Sequence, residues 1–285
     1  MAKLNIKEIL DKTVNYFKKY DIPQPRLDAE VLLADLLKME RINLYVNFDR
    51  PLTSEEIDSY REMILKRRQG TPVAYLVGQK EFMGLKFKVN SNVLIPRPET
   101  EHLVQTILNR IDTWEQEEVK IADIGTGSGA IIISIAKLSD GLVEGTGIDI
   151  SEASLNLAQE NAVNLGVDEQ LEFKEGDLLE ALEETVDIIV SNPPYIPSEE
   201  LDDLQKEVQQ EPKLALDGGE DGLDYYRKII NDAPEYLTTD GLLAFEVGIK
   251  QSQDVADLLE KADYTNIEIK KDYSDIERIV LANYN

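Results

Sequence analysis

Asn192-Pro193-Pro194-Tyr195 follows directly on the apolar run Val186-Asp187-Ile188-Ile189-Val190-Ser191. A run of that length, rich in β-branched residues, reads as a buried strand. The four residues after it then sit at a strand's carboxyl end, where open α/β sheets bind ligands. Two consecutive prolines remove two backbone donors and fix two φ angles, leaving a stiff loop that offers carbonyl acceptors. Asn192 adds a side-chain amide, and Tyr195 a flat aromatic face with a polar tip. This inventory suits holding a planar NH2 group by its two hydrogens. Asn-Pro and Pro-Pro also mark ordinary turns, so the motif needs its surroundings to be read.

A second chemical segment is Asp123-Ile124-Gly125-Thr126-Gly127-Ser128-Gly129, placed where an apolar run becomes a helical pattern. Glycines allow positive φ and close backbone approach to a ligand, and a helix start presents unpaired N–H groups. Asp149 ends the next apolar run, about 20 residues after the loop, where a carboxylate can accept both hydroxyls of a ribose. Asp177 follows a third run, where it is placed to cap a helix beginning at Leu178. Two cofactor classes fit the loop. Gly125-x-Gly127-x-x-Ala130 satisfies the loosened dinucleotide fingerprint. Asp123 and the tighter Gly-x-Gly-x-Gly spacing instead favour a cationic cofactor, since a carboxylate beside the loop helps a cation and opposes a diphosphate.

Composition narrows the chemistry further. The 285-residue chain contains no cysteine, which excludes disulfides, thiolate nucleophiles and cysteine-ligated metals. His102 is the only histidine, so a zinc site built on several imidazoles is excluded and no metal is expected. A net charge of −26 disfavours duplex DNA, whose binding rests on phosphate neutralisation, and no stable nucleic-acid binding is expected. Lys66-Arg67-Arg68 and the lysines between Lys12 and Lys19 read as solvated helix faces. No stretch approaches the roughly 20 apolar residues of a membrane span. The opening Met1-Ala2-Lys3-Leu4-Asn5 turns polar too soon for a secretory signal. A cytoplasmic monomer is the expectation.

The elements that must position these residues are legible in the patterning. Over residues 1–72, Ile6, Ile9, Leu10, Val14 and Phe17 recur at helical spacing, Pro25 opens a second helix, and Thr53 with Glu56 forms a capping box. These read as a small helical bundle serving substrate recognition. Residues 73–96 form a linker, with β-favouring residues from Tyr75 to Ile95 and breaks at Gly84 and Asn90-Ser91-Asn92, as expected of a β-hairpin. From residue 97 to residue 285, after an extended segment and a helix to about Ile111, strand and helix patterns alternate, the mark of a parallel sheet covered on both faces. Strands are read at 119–123, 143–149, 171–175, 186–191, 242–247, 264–270 and 276–283, with helices at 129–138, 152–165, 221–237 and 250–261. Thr113 to Glu118 reads as a polar connection. Lys271 to Asp275 is too short for a parallel crossover, so the final strand runs antiparallel to its neighbour.

Acid-x-Gly-x-Gly-x-Gly, with the antiparallel last strand, resembles the class I methyltransferases that use S-adenosylmethionine. Asn-Pro-Pro-Tyr after the fourth strand resembles those members that modify a planar nitrogen. Further segments accompany it: Tyr75-Leu76-x-Gly78, Phe82-x-Gly84, Val93-Leu94-Ile95-Pro96-Arg97-Pro98-Glu99-Thr100-Glu101 and Leu216-Asp217-Gly218-Gly219-x-Asp221-Gly222-Leu223. Together these are similar to the release-factor glutamine methyltransferases, the PrmC/HemK family, over almost the whole chain. The resemblance implies a Rossmann-like α/β domain and methylation of the glutamine of a Gly-Gly-Gln motif in class 1 peptide chain release factors. It implies that Gly125, Thr126, Gly127, Ser128 and Gly129 hold the methionine part of the cofactor, Asp149 its ribose, and Asp177 or Leu178 its adenine. Asn192 and the Pro193 carbonyl would accept the two amide hydrogens, in a loop stiffened by Pro194, while Tyr195 packs on the amide plane. Phe82 and Arg97–Glu101 would close the pocket. Leu178 departs from members that place an aromatic residue by the adenine. The competing readings are a base-amine methyltransferase acting on RNA or DNA, a nicotinamide dehydrogenase, and a release-factor- or ribosome-binding protein without turnover.

Overall fold

The computed structural model describes residues 4–114 and 118–284. The opening residues 1–3, and residues 115–117 of the expected polar connection, lie outside the described residues. The chain divides into two units, Met1–Gly78 with Gln205–Gln210, and Gln79–Leu204 with Glu211–Asn285.

The first unit is helical: α1 (Ile6–Lys18), α2 (Pro25–Leu36), α3 (Arg41–Val46), α4 (Ser54–Arg68) and α5 (Val73–Val77). Both ends of α1 and α4 that start helices carry reciprocal capping boxes, Asn5 with Glu8 and Thr53 with Glu56, which satisfy orphan N–H groups. The apolar stripe read from Ile6, Ile9, Leu10 and Phe17 is buried against Leu32 and Leu33 of α2 and Tyr60 of α4. The Tyr60 hydroxyl donates to the Ala29 carbonyl at 2.8 Å, so the polar tip of a buried ring is satisfied. Arg67 is buried and donates to Asp28 and Glu207, both at 2.7 Å, which is how a guanidinium is tolerated inside a protein. Short α3 and α5 escaped the sequence reading. Tyr75 to Val77 is helical rather than extended, because Pro72 starts the turn and Gly78, at φ 76°, ends it.

The second unit opens with a hairpin, β1 (Gln79–Phe82) and β2 (Leu85–Lys88), closed by Met83 and Gly84, both at positive φ. Pro98–Thr100 forms a single 3-10 turn leading into α6 (Glu101–Ile111). The alternating region follows as β3 (Val119–Ile124), α7 (Ala130–Leu138), β4 (Val143–Asp149), α8 (Glu152–Leu165), β5 (Leu171–Glu175), β6 (Val186–Ser191), α9 (Asp224–Asp232), β7 (Leu237–Glu246), α10 (Ser252–Lys261), β8 (Thr265–Lys271) and β9 (Glu277–Tyr284). The sheet order is β5-β4-β3-β6-β7-β9-β8, with β9 inserted antiparallel between β7 and β8.

Strand alternation divides the core. Ile121, Ile188, Val190 and Leu242 face α6 and α7, whereas Ala122, Ile189, Leu243 and Phe245 face α9 and α10. Burial of each such Ile or Leu contributes about 1.5–3 kcal/mol, and the two layers fix strand register. Asp187 interrupts the apolar run of β6, and its carboxylate is satisfied there by accepting from the Lys120 amide and the Thr238 hydroxyl. The helix expected over 221–237 is confined to α9, because Pro234 converts its end into a 3-10 turn and β7 already begins at Leu237.

Candidate active site

The sheet order reverses between β3 and β6, and the connections leaving those two strands diverge there, which opens a crevice at their carboxyl ends. A cavity of about 180 Å³ fills that crevice. Gly125 and Gly127 line it from the end of β3, Asp149 to Ser151 from β4, Gly176 to Leu178 from β5, and Ser191 to Pro194 from β6. Leu214 and Tyr225 contribute to the remaining wall.

The glycine loop is wired inward. The Gly125 and Thr126 amides donate to the Ile148 carbonyl at 2.8 and 3.0 Å, the Gly129 amide to the Thr126 carbonyl at 2.8 Å, and the Gly127 amide to Asp149 Oδ2 at 2.9 Å. With those amides committed, the loop is not the open N–H cradle that a diphosphate requires. The geometry therefore favours a cationic cofactor over a dinucleotide. Asp123 lies fully buried beneath the loop and accepts from the Thr126 hydroxyl at 2.7 Å, while burial pushes its carboxyl up to about 7. It shapes the loop from below rather than lining the cavity.

Asp149 accepts from the Gly127 amide with one oxygen and from the Ser151 amide with the other, both at 2.9 Å. Burial raises its pKa, against the backbone N–H groups of Ser151, Gly127 and Ile150, which favour the charge. A carboxylate has about four acceptor sites, so it retains capacity toward the cavity.

At the end of β6, Ser191 donates to the Ile124 carbonyl at 2.7 Å, tying the two strand ends together. Asn192 Nδ2 donates to Thr100 Oγ1 at 3.2 Å. Among the described residues, none donates to Asn192 Oδ1 or to the Pro193 carbonyl, so two acceptors of the loop remain unused. The loop is braced from outside by the Leu216–Gly222 segment: the Ile196 amide donates to the Leu216 carbonyl and the Gly218 amide to the Ile196 carbonyl. A Cβ at Gly218 would meet Tyr195 Cα at 2.7 Å and the Pro194 carbonyl at 2.8 Å. Gln251 completes the brace by donating to the Tyr195 carbonyl at 2.9 Å.

Residues 8–78 match the PrmC N-terminal domain family and residues 115–271 a methyltransferase domain family. A release factor glutamine methyltransferase from Geobacter sulfurreducens is 40% identical over 278 residues, covering 96% of this chain and 95% of its own. Another, from Bacillus anthracis, is 42% identical over 260 residues, covering 89% and 91%. This chain belongs to the release factor glutamine methyltransferase family. Solved structures add the fold alone. A methyltransferase from Pyrococcus furiosus superposes with a TM-score of 0.53 at 17% identity, covering 72% of this chain and 91% of that one. A 16S rRNA N2 G1207 methyltransferase of T. thermophilus, in complex with AdoMet and guanosine, gives 0.51 at 18%, covering 73% and 50%.

Seen as a member of this family, the chain distributes its expected site residues unevenly. Gly125, Gly127, Asp149, Asp177, Leu178, Asn192, Pro193 and Pro194 all line the one cavity. Thr126, Ser128 and Gly129 do not. They are the buried underside of the loop, where a Cβ at Gly129 would strike Ile133 Cδ1 at 2.5 Å. The Tyr195 ring packs against the α9–α10 core layer, and burial pushes its hydroxyl up to about 12. Phe82 is not among the residues lining the cavity. It is 1% exposed, edge-on to Phe87 in the α6–α7 layer, because strand alternation in the hairpin turns it inward. Asp177 caps no helix, since Leu178 at φ 55° bends the chain into a turn instead.

Sequence reasoning missed two residues that hold the site. Asn161, on α8, accepts from the Lys88 amide and donates to the carbonyls of Lys88 and Ser128, joining hairpin to glycine loop. Glu211 is buried and accepts from the Ile95 amide and from Arg97, fixing the Val93–Glu101 segment. Only their pairing with distant residues reveals them. A lone Asn in a helix and a lone Glu in a loop carry no such signal.

Proposed function

We propose that this chain transfers a methyl group from S-adenosylmethionine to the side-chain amide nitrogen of the glutamine in the Gly-Gly-Gln motif of class 1 peptide chain release factors. One observation carries the reading: across a single crevice, a ligand cavity edged by Asp149 faces two unused acceptors, Asn192 Oδ1 and the Pro193 carbonyl. The family to which the chain belongs gives those acceptors a substrate with two hydrogens to offer.

The residues present fit the cofactor. Asp149, Gly125, Gly127, Asp177 and Leu178 all line the cavity, which supports Asp149 accepting from the ribose hydroxyls, the glycines letting the methionine part approach backbone, and Asp177 and Leu178 bordering the adenine. When bound, S-adenosylmethionine supplies a methyl group already activated by its sulfonium. The chain then has to supply alignment. An amide nitrogen is a weak nucleophile because its lone pair is delocalised into the carbonyl. Accepting both N–H bonds, Asn192 and Pro193 would aim the nitrogen and stabilise the positive charge that develops on it. No strong base is needed at the outset, because the proton becomes acidic only as the nitrogen is alkylated. Glutamate would be rejected, since a carboxylate leaves both acceptors unpaired.

The reading has residues 1–72 recognising the release factor, residues 73–96 as linker and residues 97–285 as the catalytic part. It has the chain acting as a cytoplasmic monomer without stable nucleic-acid binding. Among the described residues, no helix is long and apolar enough to cross a membrane. The test is incubation with methyl-labelled S-adenosylmethionine and, in parallel, a release factor and bulk RNA, with the label mapped by mass spectrometry. Label on the motif glutamine is the expected result. Label on RNA alone would replace this reading with base-amine methylation.

A further inference from the structure

We propose that Glu246 is a positioning residue for the amide clamp: through Thr100 it fixes which edge of the Asn192 carboxamide faces the substrate. The inference rests on the function proposed above for Asn192. Glu246 is the last residue of β7, which pairs with β6 so that Ser191 stands opposite Phe245. Asn192 and Glu246 are therefore the next residues along two adjoining strands. Glu246 is 2% exposed, and among the described residues its Oε2 has no hydrogen-bond partner. A buried carboxyl in that condition is costly, and nothing in the packing of the sheet requires it.

Its neighbours supply the reason. Thr100, also buried, stands at the end of the 3-10 turn before α6 and accepts from Asn192 Nδ2. A hydroxyl has a single hydrogen. With its oxygen already accepting from Asn192, Thr100 directs that hydrogen at an acceptor, and the Glu246 carboxyl is the group that faces it. The groups line up with one polarity: the Thr100 hydroxyl and the Asn192 carboxamide both face the Glu246 carboxyl, Thr100 accepts from Asn192 Nδ2, and Asn192 Oδ1 is left to accept from the substrate. A carboxamide has two edges of nearly the same shape. Without an acceptor at the far end it could turn over and present NH2 to the cavity, which would repel a glutamine NH2 and welcome a glutamate. Glu246 thus acts on the choice between amide and carboxylate.

The charged and titratable groups around Glu246 come from several elements. Arg278 on β9 favours its ionised form, Glu99 in the 3-10 turn opposes it, and the Tyr195 and Tyr226 hydroxyls face the same region. Burial dominates and pushes the carboxyl up to about 7, against the stabilising effect of Thr100, Arg278 and Asn192. Below that pH the carboxyl gains a proton and can donate to Thr100, which reverses the chain.

The experiment compares wild type with Glu246→Gln, Thr100→Val and Thr100→Ser, using a release factor as substrate and S-adenosylmethionine binding by calorimetry as the folding control. We expect Glu246→Gln and Thr100→Val to lower kcat on the order of tenfold or more, with cofactor affinity within about twofold, as for a misaligned reacting group. Thr100→Ser, which keeps the hydroxyl, should retain most activity. In wild type kcat/KM should fall on the acid side of a midpoint near 7, and Glu246→Gln should lack that limb. The Asn192 side-chain NH2 resonances should titrate with the same midpoint in wild type and not in the variant, a readout independent of turnover. Should Glu246→Gln fail to bind cofactor, Thr100→Val decides. Wild-type kcat in Thr100→Val, or Asn192 resonances indifferent to both substitutions, would overturn the proposal. Wild type inactive on every release factor, with the resonances titrating as expected, would overturn the function and leave the hydrogen-bond chain standing.

Discussion

Asn192 meets two demands with one carboxamide, since Nδ2 is held by Thr100 while Oδ1 is left without a donor among the described residues. Removing it should therefore cost alignment more than cofactor binding. Asn192→Ala is expected to lower kcat by about 100-fold or more, the usual effect of losing a preorganised polar contact to a transition state. Its cofactor dissociation constant should change less than about threefold, measured by calorimetry. Asp149 has the opposite profile because it also pins the Gly127 amide. Asp149→Ala should weaken cofactor binding at least about tenfold, equal to roughly 1.4 kcal/mol. Turnover at saturating cofactor should recover much of its value. Asn192 and Asp149 were both legible in the sequence, because each ends an apolar run and a strand's end fixes where its next residue lies. That Thr126, Ser128 and Phe82 are buried off the cavity lining was not legible, because a motif gives residue order but not which side of the loop or hairpin faces inward.

At the scale of elements, the site depends on pieces that hold one another without touching a ligand. Gly218 lies where a side chain would collide with Tyr195 Cα and the Pro194 carbonyl, both of which are backbone and cannot turn aside. Gly218→Ala should displace the Asn192–Tyr195 loop and lower kcat about tenfold or more, with the far-ultraviolet circular dichroism unchanged. Asn161 joins hairpin, α8 and glycine loop by bonds to Lys88 and Ser128. Asn161→Ala leaves buried backbone groups unpaired and should destabilise the second unit by about 2–4 kcal/mol, read from chemical denaturation. The elements themselves were largely foreseeable. Seven sheet strands and the antiparallel ending follow from alternating apolar runs and a final connection too short to cross over. The insertion of β9 between β7 and β8 did not follow, because strand order is set by which apolar faces find each other in space.

For the molecule as a whole, net charge and buried carboxyls govern the response to solution conditions. At −26, the surface repels itself, and screening relieves that repulsion. The melting temperature should rise between low and moderate salt, and a flat response would contradict this account. Asp123 adds a pH dependence whose sign is fixed. Burial raises its folded pKa from 3.8 to about 7, so the folded state binds the proton more tightly than the unfolded chain. The stability this contributes is fully present below pH 3.8 and is lost as pH rises through 7. Its slope can reach about 1.4 kcal/mol per pH unit inside that window. Asp123→Asn should flatten the stability curve across it, in denaturant titrations at successive pH values.

The sequence by itself determined the fold class, the cofactor loop, the family and the acceptor motif after β6. Each of these is a local pattern of residue type and spacing, and backbone geometry turns such patterns into position without reference to anything distant. Only the tertiary structure decided that the loop amides are already committed, that Phe82 is core, and that Glu246, Thr100 and Asn192 meet. Thr100 and Glu246 are far apart in the chain, and no pattern along it distinguishes either from its neighbours. What brings them together is the packing of α6 and β7 around the end of β6, where a buried carboxyl must find a donor.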